Sequence, residues 1–132
     1  MSVFHLISSQ LSDVPATDAS VYQPGAIWTD SVGSIYFSET FYSYRVRKID
    51  TSGIISTLIG SGTYGFKGIG GPALSVALDF AWGVYGDSLG SCLYVGGNRC
   101  FIWKYNFTTN NVTLIAGAAP CSRSYSGDGG SA

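Results

Sequence analysis

The chain has 132 residues and a formal charge of −1, with seven Lys+Arg against eight Asp+Glu, so it lacks the cationic surface that nucleic-acid binding requires. A hydrophobic share of 45% excludes intrinsic disorder, and 14% aromatics with 18 Gly and only 11% charged residues point to short strands joined by tight turns. No stretch approaches the roughly 18 apolar residues of a membrane span, and the apolar run from Val3 to Ile7 is broken by His5 and has no basic region before it, unlike a signal peptide.

In chain order the predicted strands are 26–29, 35–38, 44–50 and 54–59, then 83–86, 92–96, 101–106 and 111–116. The segments between them carry turn chemistry. Asp30-Ser31-Val32-Gly33 and Asp87-Ser88-Leu89-Gly90 each place a carboxylate where it can accept from a backbone N–H two residues on, followed by a Gly free to take positive φ. Ser52-Gly53 and Asn110-Asn111 mark the turns before the fourth strand of each set. No segment shows a 3.6-residue apolar period, so the chain reads as four short antiparallel strands, twice.

The two sets are copies. Pro15-Ala16-Thr17-Asp18-Ala19-Ser20-Val21 overlays Pro72-Ala73-Leu74-Ser75-Val76-Ala77-Leu78 at an offset of 57, and Ile55 to Gly60 overlays Val112 to Gly117 at the same offset. Asp30 to Ser34 falls on Asp87 to Ser91, and one inserted residue brings Tyr36-Phe37 onto Tyr94-Val95. The organisation expected is residues 1–14 as the last strand of a preceding unit and its connector, 15–71 and 72–125 as two repeats, and 126–132 as the start of a third.

Four strands per repeat is the blade of a β-propeller. The connector Gly60-Ser61-Gly62-Thr63-Tyr64-Gly65-Phe66-Lys67-Gly68-Ile69-Gly70-Gly71-Pro72-Ala73 resembles the Gly-rich segment between NHL repeats, and so does Ser126-Gly127-Asp128-Gly129-Gly130-Ser131-Ala132. Tyr36-Phe37-Ser38-Glu39 and Arg45-Val46-Arg47-Lys48-Ile49-Asp50 are similar to that family's second and third strands, with Glu39 where Asp is usual and Ile69 at the connector's Asp position. Gly96 to Arg99 and Phe101 to Asn106 match less closely. The resemblance implies an all-β fold, an incomplete β-propeller of four-stranded antiparallel blades. Leu6-Ile7-Ser8 overlays Leu58-Ile59-Gly60, which makes the chain start and stop inside blades. A propeller closes with about four to eight blades, so the expected partners include the remaining blades of the same ring or a self-association partner. Two blades shield one shared interface, and an isolated chain of this length is expected to be marginal, oligomeric or aggregation-prone.

Sites read less clearly than fold. Asp30, Asp87 and Asp128 lie in Gly/Ser turns, where capping accounts for them. One acid at Asp128 does not supply the six to eight oxygens of a calcium site, and one histidine, His5, with no Cys-x-x-Cys pair does not make a zinc site. No serine has a base assigned to it, and the Gly60–Gly71 connector lacks the ending of a phosphate loop. No cofactor, metal site or catalytic residue is therefore expected in this segment. Of three cysteines, Cys92 and Cys100 flank a hairpin where a disulfide is geometrically open, but they read first as small buried hydrophobes.

The third strands differ most between copies: Arg45, Arg47 and Ile49 correspond to Phe101, Trp103 and Tyr105. Alternate residues share a face, so this surface serves either packing between blades, with Arg stems over apolar area, or one wall of a partner groove. The sequons at Asn106 and Asn111 flank the last turn of the second copy and tilt the reading toward an extracellular protein. The function expected from the resemblance is a non-catalytic scaffold for protein or another ligand. The alternatives are a propeller hydrolase or lyase with catalytic groups in other blades, and a structural repeat array.

Overall fold

The computed structural model describes residues 13–98, 100–118 and 128–130. Among these the helical elements are two 3-10 turns, Ala16–Asp18 and Ala73–Ser75, and no helix is long and apolar enough to cross a membrane. The rest is strand and turn. Strand β1 (Val14–Pro15) precedes β2 (Pro24–Thr29), β3 (Ile35–Glu39), β4 (Arg45–Ile49) and β5 (Ile54–Ile59). The second set is β6 (Ala81–Gly86), β7 (Cys92–Gly97), β8 (Ile102–Asn106) and β9 (Val112–Ala116). All eight predicted strands are present, with ends shifted by up to two residues.

Two antiparallel sheets result, ordered β1-β5-β4-β3-β2 and β6-β7-β8-β9. Strands β2 to β5 and β6 to β9 each form a meander, as short turns between successive strands require, and β1 adds to the first sheet beside β5. Side-chain oxygens close those turns. Asp30 Oδ1 accepts from Val32 N at 3.1 Å and Ser34 N at 2.8 Å, and Asp50 Oδ1 accepts from Ser52 N and Ile54 N. In the second sheet Asp87 Oδ1 accepts from Ser91 N at 2.7 Å, and Asn106 Oδ1 from Thr108 N and Thr109 N.

The 57-residue offset recurs in the backbone bonds. Ala16 N donates to Gly53 O as Ala73 N does to Asn110 O, and Asp13 N donates to Ile55 O as Gly70 N does to Val112 O. The pairing of β1 with β5, Pro15 opposite Ile54, returns as the isolated bridge between Pro72 and Asn111. Each sheet's outer strand is thus clasped by the segment that leads into that sheet. The clasp needs a left-handed residue, supplied by Asp13 (φ +65°) in the first copy and Gly70 (φ +90°) in the second; Gly129 (φ +80°) takes the same conformation after Asp128. The expected strand at Leu6–Ser8 lies outside the described residues.

Register assigns side chains to faces, because directly opposed residues in a ladder share one. Trp28 opposes Tyr36, Tyr36 opposes Lys48, and Ser38 opposes Val46, so these line one face of the first sheet. That face meets the second sheet. Tyr36, Val46 and Ile59 join Val84, Leu93, Val95, Trp103, Tyr105 and Val112 in a single apolar core. Gly86 is what allows the approach, since a Cβ there would enter the Trp28 ring.

The equivalent face of the second sheet is open. Val46 is fully buried while its counterpart Ile102 is 43% exposed, and Tyr85, the counterpart of half-buried Trp28, is 67% exposed. On the opposite faces the order reverses: Ile27 of the first sheet is 67% exposed and its counterpart Val84 is 7% exposed.

Candidate functional site

The third strands contrast as the sequence suggests, but the structure does not bring the five residues together as one partner surface. Phe101, Trp103 and Tyr105 are buried between the sheets. The rings of Phe66 and Phe101 lie 4.6 Å apart, Phe101 stacks on Trp103 at 5.9 Å, and the Tyr105 hydroxyl donates to Asn110 Oδ1 at 2.6 Å. Arg47 is 3% exposed, and its Nη1 lies 3.4 Å from Glu39 Oε2. A charge so placed is held by its partner and is not offered to solvent. Arg45 alone of the five carries its charge at the surface of a cavity.

The residues opposite strand three change in step. Glu39, beside Arg47 in the first sheet, corresponds to Gly97 in the second, where the same volume is taken by Trp103 and the fully buried carboxylate of Asp79. A methyl at Gly97 would come 2.9 Å from the Trp103 ring edge. An acid with an arginine in one copy is a glycine with a tryptophan in the other.

Around Glu39 the first copy builds a polar site. Glu39 Oε1 accepts from Tyr22 N at 3.0 Å, and Oε2 accepts from Ser43 Oγ at 2.5 Å. Ser43 is buried in the loop between β3 and β4, flanked by Tyr42 (φ +60°) and Tyr44 (φ +51°). Two bulky residues in left-handed conformation cost about 1–3 kcal/mol each, a strain that persists only where surrounding structure fixes it. Here the anchor is the Ser43–Glu39 bond. The Arg45 guanidinium folds back, with Nη1 donating to Ser43 O at 3.1 Å, and lies against Gly62 (φ +83°) where any side chain would collide with it.

These groups line an open cavity of about 390 Å³, with Ser20, Val21, Tyr22, Glu39, Tyr42, Ser43, Arg45 and the backbone at Gly62 around it. Tyr22 and Tyr42 meet edge-on across its mouth, ring centroids 6.3 Å apart, with Tyr42 77% exposed. Neither tyrosine nor Ser43 was legible as a site residue, because three separate segments must converge to form it. The one available signal was the joint loss of Glu39 and Arg47 in the second copy.

Titratable groups with shifted behaviour lie at the other end of the sheets. Burial pushes the Tyr36 hydroxyl up to about 12, helped by its bond to Asp30 Oδ2. Burial works against ionisation of Asp30, but bonds from Ser34, Tyr36 and Val32 outweigh it and hold the carboxyl below its usual range. The Ser91 hydroxyl, with backbone N–H groups behind it, does the same for Asp87. Burial alone raises Tyr105. Among the described residues no three His, Cys, Asp or Glu side chains gather to hold a metal. Cys92 is a buried free thiol and Cys100 is disulfide-bonded, so the two are not joined to each other.

No protein-family model matches the sequence, and no curated protein matches it. Among solved structures the chain is similar to a structural-genomics protein of unknown function from Bacteroides thetaiotaomicron VPI-5482, with a TM-score of 0.54 and 19% identity. The match covers 67% of this chain and 22% of that one, so the shared unit spans under a quarter of the neighbour. At this identity the likeness is one of fold.

Proposed function

We propose that the two sheets are consecutive blades of an NHL-type β-propeller, and that the chain serves there as a non-catalytic scaffold binding protein or another ligand through the loops that carry Tyr42 and Arg45. The observation that carries the propeller reading is the paired exposure of equivalent residues. Val46 is covered by the next sheet, whereas Ile102, at the same place one copy later, is 43% exposed. A radial array supplies the same cover at every step. The neighbour, in which a unit of this shape is a small part of a longer chain, supports the same reading. The disulfide at Cys100 and the sequons at Asn106 and Asn111 favour an oxidising, extracellular setting.

The test is association. Sedimentation velocity on the 132-residue chain should show concentration-dependent self-association through the two open faces. Ile102→Lys and Ile27→Lys should each reduce it, and the double variant should disperse the chain. A monodisperse wild-type monomer with a cooperative thermal transition would overturn the proposal.

A further inference from the structure

We infer that the Glu39–Arg45 cavity is a binding site for an organic carboxylate whose ring-shaped body lies against Tyr22 and Tyr42. This deepens the scaffold reading by naming the ligand class of that site. Four observations carry it. The first is charge. Glu39 is neutralised by Arg47 at 3.4 Å, which leaves the Arg45 charge as the excess at the cavity. Among the described residues no carboxylate lies within ion-pair distance of Arg45.

The second is unused donor capacity. A guanidinium has five N–H donors in a planar fork that fits a carboxylate bidentately. Both bonds that Arg45 makes come from Nη1 and both go to Ser43, leaving Nε and Nη2 without an acceptor among the described residues. The third is shape. A cavity of about 390 Å³ falls within the roughly 300–1,000 Å³ of small-ligand sites. Its mouth has two tyrosine rings, one of them 77% exposed, and such rings provide flat contact area at low entropic cost.

The fourth is that the fold does not require any of this. In the second copy the position of Arg45 is Phe101, buried against Phe66, and the position of Glu39 is Gly97. The same backbone ladder closes there around Trp103 and the Asp79 carboxylate, with no arginine, Gly97 N donating to Phe101 O at 2.9 Å. The arginine and glutamate of the lining and the tyrosines at 42 and 44 are therefore particular to one copy. A purely structural role does not account for an arginine held with half of its fork unused.

The experiment is a titration of the 132-residue chain with sodium benzoate and with sodium glucuronate, against the neutral isosteres benzamide and glucose, followed by amide NMR shifts. At least one acid should bind saturably, its neutral isostere should not, and the shifts should centre on Ser43, Arg45 and Gly62. The acid that binds identifies the body as aromatic or sugar. Arg45→Gln should weaken binding about tenfold or more, the loss of a charge-assisted bond, while Arg45→Lys should retain part of it. Because the Gln variant could perturb the loop, Tyr42→Ala, at an exposed rim position, supplies a second reading and should weaken binding with the fold intact by circular dichroism. No saturable binding of either acid, equal binding of the neutral isosteres, shifts centred elsewhere, or indifference to Arg45→Gln overturns the inference. Ile27, Glu39 and Arg45 share one face of the first sheet, so the titration is repeated on the Ile27→Lys, Ile102→Lys double variant; acid binding in the dispersed chain and self-association of the wild type then report the two proposals separately.

Discussion

The buried pair of Glu39 and Arg47 allows a demanding test of how the first sheet is held together. Their side chains are 3% and 4% exposed and their charged atoms 3.4 Å apart. At an effective dielectric of about 20 the gross attraction is ~5 kcal/mol, most of it offset by the desolvation of both ions. Removing one partner leaves the other ion buried. Glu39→Leu takes the countercharge from the Arg47 guanidinium, which keeps its bond to the Ser56 carbonyl, and Arg47→Leu leaves the Glu39 carboxylate with Ser43 and Tyr22 N. Each single change should cost about 3–5 kcal/mol, a large part of the roughly 5–15 kcal/mol typical of a whole domain.

The double variant should be more stable than either single one, because it leaves neither ion buried without its countercharge. The coupling then exceeds the larger single cost, at least about 3–5 kcal/mol, at or above the upper end for residues in contact. Urea unfolding midpoints for the four proteins, at constant slope, measure it. Single variants too unstable to fold in water, beside a double variant with a cooperative transition, would equally establish the coupling. Additive costs, or single variants within about 0.5 kcal/mol of wild type as at ordinary surface positions, would refute the account of a paired and desolvated site.

Two further predictions address the other end of the sheets and the interface. The Tyr36 hydroxyl, raised from an ordinary 10.0 to about 12 in the folded chain, contributes stability that is fully present below pH 10 and lost as pH rises toward 12. Tyr36→Phe should reduce that alkaline slope in the urea midpoint, leaving the part due to Tyr105, which burial also raises, and an unchanged slope would show that the Tyr36 phenol is not a source. Gly86→Ala should cost about 1–3 kcal/mol by forcing the Trp28 ring off its seat, and Trp28→Leu in the same chain should recover part of the loss. An unaffected Gly86→Ala chain would mean that the sheets do not pack face to face.

Most of the fold was legible because local rules govern it. Alternation and Asp or Asn turns located every long strand to within two residues, and the 57-residue offset survives as matched hydrogen bonds. The β1 clasp was not legible: two residues, one of them Pro15, carry no period. The site was only partly legible. Spacing placed Arg45 and Arg47 on one face, yet Arg47 is buried beside Glu39 and Arg45 lines a cavity. That difference depends on position along the ladder. Arg47 opposes Phe37 within the strand, whereas Arg45 opposes Glu39 at its end, next to a loop. Convergence of segments around residues 20–22, 39–45 and 62 is a tertiary fact with no periodic trace.

The two copies show which parts of the repeat are free to change. Thr40 N donates to Gln23 O as Asn98 N does to Phe80 O, and Gly60 and Gly117 take φ of +104° and +100° at the same point. These backbone features recur whatever side chains accompany them. Side chains between strands three and two are exchanged as sets. Trp103 cannot enter while a Cβ stands at the Gly97 position, and Glu39 supplies the countercharge of buried Arg47. Neither single step between the two arrangements is free: one creates a clash and the other takes the countercharge from a buried ion. A chain that keeps both solutions side by side therefore has the arginine where an open cavity adjoins it, and the tryptophan where the neighbouring sheet closes over it.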